Sequence, residues 1–355
     1  MAEMTPRERV RTAMSRQVPD RVPKTAGFTP DVQRRFEEAT GATDPAAYFG
    51  FEARGVGFHG PREATDFSAY YPDGLPEGTG ISEYGTAHKP GDFYHFWRLD
   101  FPLKSARTLD ELQRFPWPDF TPEYRHAHLE GQVASLHDQG FYVQGGVGHI
   151  YENAWQIVSM EKLLMDFIEA PEQAAFVLDR ITEDRAVQAR RFAEAGCDGI
   201  LTGDDVAMQD RMMMSPAAWR EWLKPRWGYV YAEARRIKPD IQIFYHSDGD
   251  IEPIVPDLIE IGLDILNPVQ PECVDPAALK REFGQDLAFW GCIGTQTTMP
   301  FGTVADVRQA VKSTIEQVGY DGGLLVAPTH VLEPDVPWAN IQALFDAVEE
   351  YGAYR

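Results

Sequence analysis

The sequence predicts a (β/α)8 barrel. From residue 109 onward, apolar runs of strand length alternate with runs of helix length, which is typical of parallel βαβ units. The chain has 355 residues, and 43% of them are hydrophobic, which is enough for one large domain with a sizeable core. Five of the apolar runs end in polar or titratable residues, as barrel strands do at the mouth that carries the active site.

The N-terminal segment begins with a helix signal. Thr5 and Glu8 form a capping box with Pro6 at the first helical position, so we predict a short helix here. A first strand is predicted at residues 21–28 and a second helix at residues 31–40.

Residues 42–105 are less regular and are rich in glycine, proline and aromatic residues. Two runs in this region, 51–58 and 93–101, alternate as strands do. We interpret residues 42–105 as an irregular antiparallel insertion, or lid, on a single domain that spans residues 1–355.

The rest of the chain follows a regular order of strands and helices. Ser215 and Pro216, for example, supply a helix N-cap and a proline at the first helical position. The predicted strands are residues 141–148, 198–205, 241–245, 264–270, 287–294 and 323–330. The predicted helices are residues 108–114, 123–139, 151–169, 171–195, a long helix from 215, and 251–261, 275–283, 303–318 and 338–351.

Charge and composition exclude several classes of function. The net charge of -22 argues against nucleic acid and anionic membranes, which both need basic patches. No run approaches the roughly 18 apolar residues of a membrane span, and the N-terminus lacks the apolar core of a signal peptide. Cys197, Cys273 and Cys292 show no CxxC spacing, which indicates a reduced compartment. We therefore expect a cytoplasmic protein.

The most informative stretch is residues 241–250, where a buried strand ends in His246 and Asp248. Side chains two residues apart in an extended chain point the same way, so both can face one cavity. Because strand ends converge at the mouth of a barrel, we predict a shared site, with merely polar loops as the alternative. The other strand ends carry Gln144, His149 and Glu152; Asp204, Asp205 and Gln209; Asn267 and Gln270; and His330.

Three segments are similar to motifs of one superfamily: residues 4–23, residues 215–226 and residues 327–341. They resemble the uroporphyrinogen decarboxylase superfamily, and the resemblance extends along almost the whole chain. It implies a (β/α)8 barrel with the site in a deep cleft at the C-terminal mouth.

One branch of this superfamily decarboxylates a tetrapyrrole, and it binds the substrate carboxylates with an Arg-Gln-Ala-Gly-Arg motif. The matching segment here, residues 24–28, has no such arginine pair. A polycarboxylate would also be repelled by Asp204, Asp205 and Asp248, at about 4 kcal/mol per close like-charged pair for an effective dielectric of 20. His330 does match a histidine of the decarboxylases, so a carboxy-lyase acting on a tetrapyrrole or a small acid is the alternative function.

The other branch comprises zinc methyltransferases that exchange methyl groups with a corrinoid protein. Members that activate a thiol carry His-x-Cys and a further cysteine at the last strand. The resemblance aligns His246 and Asp248 with the first motif and His330 with the second, and both cysteines are absent. It therefore implies a divalent metal, most simply zinc, bound by His246, Asp248 and His330, with Glu152 as an alternative carboxylate or a fourth ligand. Cys273 and Cys292 are alternative ligands, and a site without metal is a further alternative.

A site of histidine and carboxylate ligands suits a Lewis acid better than thiol activation. We therefore predict a methyltransferase that moves a methyl group from a small O- or N-methylated compound to a corrinoid, either free or on a partner protein. A cofactor-free lyase and a non-catalytic tetrapyrrole- or corrinoid-binding protein are the alternatives. Catalytic roles are predicted for Asp204, Asp205, Glu152 and Asp248, substrate contacts for Gln144, His149, Tyr151, Gln209 and Gln270, and an apolar wall from Tyr151, Trp155 and Phe244.

Overall fold

The computed structural model describes residues 3–91 and 97–354 and contains the predicted barrel. Its strands are β1 (Ala53–Val56), β2 (Gly80–Ile81), β3 (Ala87–Pro90), β4 (Trp97–Asp100), β5 (Tyr142–Gly148), β6 (Gly199–Gly203), β7 (Gln242–His246), β8 (Ile265–Asn267), β9 (Ala288–Ile293) and β10 (Leu324–Pro328). Seven of them form one parallel sheet in the order β1-β5-β6-β7-β8-β9-β10.

Residues 23–25 occupy the eighth position of the barrel. The Val326 amide donates to the carbonyl of Pro23 (2.9 Å), and the Thr25 amide donates to the carbonyl of Val326 (3.2 Å), so this segment lies parallel to β10. On the other side, the carboxylate of Glu52 accepts a hydrogen bond from the Lys24 amide (2.9 Å). A proline in the segment has no amide to donate, which explains why the predicted first strand makes isolated bridges rather than a regular ladder.

The helices surround this sheet. They are α1 (Pro6–Met14), α2 (Pro30–Thr40), α3 (Pro45–Tyr48), α4 (Leu109–Gln113), α5 (Leu129–Asp138), α6 (Tyr151–Val158), α7 (Met160–Glu169), α8 (Pro171–Glu194), α9 (Pro216–Trp222), α10 (Lys224–Ile237), α11 (Val255–Glu260), α12 (Pro276–Phe283), α13 (Thr298–Phe301), α14 (Val304–Gln317) and α15 (Trp338–Tyr351). Short 3-10 turns lie at Ser68–Tyr70, Glu123–Arg125 and Glu252–Ile254. None of the described helices is long and apolar enough to cross a membrane.

Several predicted helices are interrupted in the structure. The helix predicted at 151–169 breaks at Ser159, whose φ of 79° is incompatible with a helix and whose side chain caps α7. The long helix from 215 divides at Leu223, because Pro225 at the start of α10 cannot donate to the preceding turn. The helix predicted at 123–139 is a 3-10 turn followed by α5.

The antiparallel insertion is smaller than predicted. The run 51–58 belongs to the barrel, because β1 pairs with β5 in parallel. Antiparallel pairing is found in the sheet β2-β3-β4, which we call the lid. Within the predicted run 93–101, the structure describes strand β4, and residues 93–96 lie outside the described residues. The prediction that 51–58 belongs to the antiparallel insertion is wrong, because an alternating pattern does not identify the partner strand.

Helix α1 closes the bottom of the barrel. Its Val10, Ala13 and Met14 are fully buried and pack with interior side chains such as Phe244 and Trp290. α1 contacts the N-terminal ends of the strands; for example, Gln242 at the start of β7 donates to the Ser15 hydroxyl (3.1 Å). The barrel is therefore filled from below and open at the C-terminal ends of its strands.

Candidate active site

A cavity of about 990 Å³ lies at the C-terminal ends of the barrel strands, next to the lid. The lid is attached to the barrel by the Thr86 hydroxyl, which donates to the carbonyl of Gln156 in α6 (2.6 Å). The described residues that line the cavity include no lysine or arginine. Their titratable side chains are Glu152, Asp205, Asp248, Glu333, Asp335, His88, His149, His246 and His330.

The ring of His246 is oriented by a chain of two hydrogen bonds. The Asn267 amide nitrogen donates to the carbonyl of Trp290 (2.7 Å), an atom that can only accept. The amide oxygen of Asn267 therefore faces Nδ1 of His246 at 2.6 Å, so Nδ1 must carry the proton. In the neutral ring this leaves the lone pair on Nε2, which is the form that binds a metal ion.

The carboxylates of Asp205 and Asp248 lie in front of this nitrogen. Nε2 of His246 is 3.6 Å from Oδ1 of Asp205 and 3.9 Å from Oδ1 of Asp248. The Asp248 amide donates to Asp205 (2.8 Å), which joins the loops after β6 and β7. Gly249 allows this junction: its φ is 85°, and a Cβ there would lie 2.3 Å from the carbonyl oxygen of Met208.

Two groups of side chains bring three ligand atoms within 4.8 Å of one another in the described part of the chain. One is Asp205, His246 and Asp248, and the other is His149, Glu152 and Asp204. The first group fits a divalent metal, because one imidazole and two carboxylates are partly exposed to the cavity and Nε2 of the imidazole lies 3.6 and 3.9 Å from the two carboxylates.

The second group is less suited to a metal because Asp204 is already occupied. Asp204 is fully buried; Oδ1 accepts from the amides of Ile150 (2.9 Å) and Glu152 (3.1 Å) at the start of α6. Its Oδ2 accepts from the indole of Trp227 (2.8 Å). Burial raises the pKa of Asp204 to about 7, against the lowering effect of His149. Asp204 thus holds α6 in place beneath the cavity.

His149 and Glu152 form an ion pair. Nδ1 of His149 lies 2.7 Å from Oε2 of Glu152. Burial opposes the charge on His149, but the adjacent Glu152 carboxylate outweighs it and raises the pKa of His149 to about 9. Burial likewise raises the pKa of Glu152, yet the charge and hydrogen bond of His149 leave it below its usual value. Both groups are therefore charged at neutral pH.

The predicted site residues separate into two sets. Those that line the cavity are His149, Glu152, Asp205, His246, Asp248, Gln270 and His330. The side chains of Asp204, Gln144, Tyr151 and Gln209 are not among its lining residues. Gln144 and Tyr151 are buried, whereas the exposed Gln209 donates to Gln296 (2.6 Å) on the rim. The expectation that Asp204 faces the cavity is therefore wrong, because its oxygens are directed at α6 and α10.

The candidate ligand group in the structure differs from the set that the resemblance implies. His330 lines the same cavity but belongs to neither group of adjacent ligand atoms, and Asp205 takes its place beside His246 and Asp248. The alternative ligands Cys273 and Cys292 are also in neither group, and burial raises the pKa of Cys292 to about 12. Of the three aromatic residues expected in the wall, Trp155 lines the cavity, whereas Tyr151 and Phe244 are buried elsewhere.

Several lining residues were not predicted from the sequence. Ser82, Thr86, His88 and Leu99 come from the lid, and no pattern in that irregular region indicated them. Thr295 and Gln296 follow β9, whose end carries no titratable residue, and Glu333 and Asp335 follow His330. The last two lie in the segment 327–341 that carries the family resemblance, which was the one available signal for them.

Comparison with known proteins agrees with this architecture. The family model for uroporphyrinogen decarboxylase (URO-D) matches residues 104–351. The chain belongs to the uroporphyrinogen decarboxylase family. No curated protein sequence matches it.

Among solved structures, a methyltransferase from Methanosarcina mazei is similar at a TM-score of 0.66 and 22% identity, over 98% of this chain and 99% of that one. A B12-independent methionine synthase from Shewanella sp. W3-18-1 matches at a TM-score of 0.43 and 11% identity, over 62% of this chain and 64% of that one.

The segment that matches the arginine motif of the decarboxylases does not supply a cation to the cavity. Lys24 is 2% exposed, its ammonium pairs with Glu349, and it is not among the lining residues. A substrate with several carboxylates would therefore meet carboxylates and histidines without a described lysine or arginine to neutralise it.

Proposed function

We propose that the protein is a methyltransferase that takes a methyl group from a small O- or N-methylated compound and transfers it to the cobalt(I) of a corrinoid. The observation that carries this proposal is the group Asp205, His246 and Asp248, set in a cavity without a described lysine or arginine. The fold shared with a methyltransferase over nearly the whole chain supports it.

The cavity itself would perform the binding step. A volume of about 990 Å³ accommodates a small substrate, and Trp155, Leu99 and Val336 supply apolar contacts. Thr86 and His88 of the lid line one side of the cavity. Cobalt(I) is a strong nucleophile, so the chain needs mainly to position the methyl group and stabilise the charge that develops on the leaving atom.

His246, Asp205 and Asp248 would hold a divalent cation, with Asn267 maintaining the tautomer of the ring. When bound, such an ion would supply a Lewis acid for the leaving atom. The corrinoid is the methyl acceptor in this proposal, whether free or carried by a partner protein.

A methyl-transfer assay with reduced cobalamin tests the proposal. Protein purified without chelator is first analysed for metal and then mixed with cobalt(I) cobalamin and a panel of methoxyarenes and methylamines. We expect bound divalent metal and a methylcobalt spectrum with at least one donor.

The variant His246→Ala should lose both signals, whereas His128→Ala, whose ring contacts the carbonyl of Gly57 outside the cavity, should retain them. Failure of every donor, together with CO2 release from a carboxylic acid, would instead identify a carboxy-lyase.

A further inference from the structure

We propose that His149, held by Glu152, donates a proton to the oxygen atom that leaves when the methyl group of an ether is transferred. The substrates would then be methyl ethers rather than methylated ammonium compounds. This inference rests on the proposed function, because it assigns a role within methyl transfer and names the class of donor.

The geometry of His149 suits a proton donor. Its Nδ1 is buried and lies 2.7 Å from Oε2 of Glu152, while 39% of the side chain is exposed. Nε2 lies on the opposite edge of the ring from Nδ1, and His149 lines the cavity. The backbone is also fixed, since the guanidinium of Arg185 donates to the carbonyl of His149 (2.9 Å).

The surroundings keep this ring protonated without burying its charge completely. Glu152 neutralises it directly, and Asp204 and Asp205 add smaller attractions. Together they raise the pKa of His149 to about 9 although burial opposes it. Neutralisation by Glu152 also allows an uncharged substrate to approach the imidazolium closely.

The donor lies next to the metal-binding group. The Glu152 oxygen that pairs with His149 is 3.4 Å from the amide nitrogen of Asp205. The loop after β5 thus presents an acid, and the loops after β6 and β7 present the candidate metal ligands, in one cavity. A methyl ether bound in this cavity would meet polar groups from both sets of loops.

The chemistry of the leaving group explains why this acid distinguishes donors. When cobalt(I) attacks a methyl ether, the carbon–cobalt bond forms, the carbon–oxygen bond breaks, and its electron pair stays on oxygen as an alkoxide or phenoxide. The proton of His149 Nε2 converts that anion to an alcohol or phenol, and neutral His149 regains a proton from solvent. A methylated ammonium releases a neutral amine, which needs no proton.

Two aryl ethers with different leaving groups test the assignment. Wild-type protein, loaded with zinc and supplied with cobalt(I) cobalamin, is compared with His149→Gln on anisole and on 4-nitroanisole. Anisole releases a basic phenoxide, so its rate should fall by about 10²-fold or more without the acid. The 4-nitrophenoxide ion is stable without a proton, so that rate should fall by less than about 10-fold.

Glu152→Gln serves as a second variant, since it keeps the side-chain shape but removes the charge that holds the proton, and it should show the same dependence on the leaving group. His128→Gln is the control outside the cavity. Tetramethylammonium replaces the ether in a third arm and should give little methylcobalt with wild type.

The outcomes separate the inference from the function on which it rests. Equal losses on both ethers, or faster turnover of tetramethylammonium than of anisole by wild type, would overturn the role of His149 while methyl transfer stands. No methylcobalt from any donor would overturn the proposed function and the inference together.

Discussion

The carboxylates at the two ends of the barrel have different partners. At the N-terminal end, a partly buried and a fully buried acid are paired with guanidinium groups: Arg9 binds Asp20 (2.6 Å), and Arg7 and Arg11 both bind Asp198 (2.9 Å). At the C-terminal mouth, the carboxylates of Asp205 and Asp248 face an imidazole, and the described lining contains no lysine or arginine.

This difference separates stability from function. Acids that are neutralised by arginine have no remaining capacity for a ligand, and they fix α1 and the adjoining loops to the bottom of the barrel. Carboxylates that lie beside one another without a lysine or arginine repel each other, so binding of a cation or a proton stabilises them most. The four predictions below test this contrast, beginning with the largest expected effect.

Removing both charges at the mouth should abolish metal binding without destabilising the protein. The double variant Asp205→Asn, Asp248→Asn keeps the side-chain shapes but removes two of the three candidate ligands. Mutation of a residue that only hydrogen-bonds to a metal ligand lowers metal affinity by about 10–100-fold. Loss of two direct ligands should therefore lower the affinity for zinc by more than about 100-fold. Titration calorimetry with Zn²⁺ measures the affinity. Urea denaturation of the metal-free proteins should show that the variant has the same free energy of unfolding as wild type.

Asp210→Asn is the control for this double variant, because its side chain is 76% exposed on the loop after β6. Unchanged zinc affinity in the double variant would remove Asp205 and Asp248 from the site.

At the bottom of the barrel, the corresponding removal should destabilise the protein strongly. Asp198 is fully buried and accepts from Arg7, Arg11, His137 (2.9 Å) and the amide of Val143 (3.0 Å). Asp198→Ala leaves these donors unpaired, and we expect the free energy of unfolding to fall by about 3–5 kcal/mol. Urea denaturation is the measurement.

Asp240→Ala is the matched control for Asp198→Ala. Asp240 also pairs with Arg11, but its side chain is 62% exposed, so its loss should change the free energy of unfolding by less than about 1 kcal/mol. Equal effects of the two substitutions would contradict the contrast between the ends of the barrel.

A third variant tests the tautomer of His246. Asn267→Leu removes the acceptor at Nδ1, so the ring can rotate or place its proton on Nε2, and zinc affinity should fall by about 10–100-fold. In metal-free wild type, ¹⁵N spectra of the imidazole should show the proton on Nδ1, and the variant should lose this signature. Gln309→Leu, on the exposed face of α14, is the control. A wild-type ring protonated on Nε2 alone would rule out the arrangement.

The smallest effects are in the pH dependence of stability. At the bottom of the barrel, burial raises the pKa of Asp20, but hydrogen bonds from Arg9 and nearby amides outweigh this effect. The pKa is therefore lowered from 3.8 to about 2. Ionised Asp20 therefore contributes roughly 2 kcal/mol to the free energy of unfolding above pH 3.8. This contribution is lost as the pH falls toward 2. In Asp20→Asn, the free energy of unfolding should therefore depend less on pH between 2 and 3.8 than it does in wild type.

At the mouth, stability is lost as the pH rises rather than as it falls. The pKa of His149 is raised from 6.5 to about 9, so its pairing with Glu152 stabilises the fold fully below pH 6.5. This contribution is lost as the pH rises through about 9. In His149→Gln, the free energy of unfolding should therefore depend less on pH in the alkaline range than it does in wild type. An identical pH dependence in wild type and variant would show that the pair does not form in solution.

The sequence alone was sufficient for the barrel and for the position of its functional end. Alternating periods of two and 3.6 residues specify strands and helices locally, and polar residues after apolar strands mark the C-terminal mouth. For this reason His246, Asp248, Asp205, His149 and Gln270 were all predicted at a shared site, and the structure lines one cavity with them.

Only the tertiary structure decided which of those residues face the cavity and which are structural. Asp204 and Asp205 are adjacent in sequence, yet the first binds the start of α6 and the second faces the cavity. The same holds for β1, whose parallel partner β5 lies far away along the chain, and for Asn267, whose role depends on the carbonyl of Trp290. Local patterns fix the direction of a side chain within its element, but hydrogen-bond partners are supplied by distant segments once they pack together.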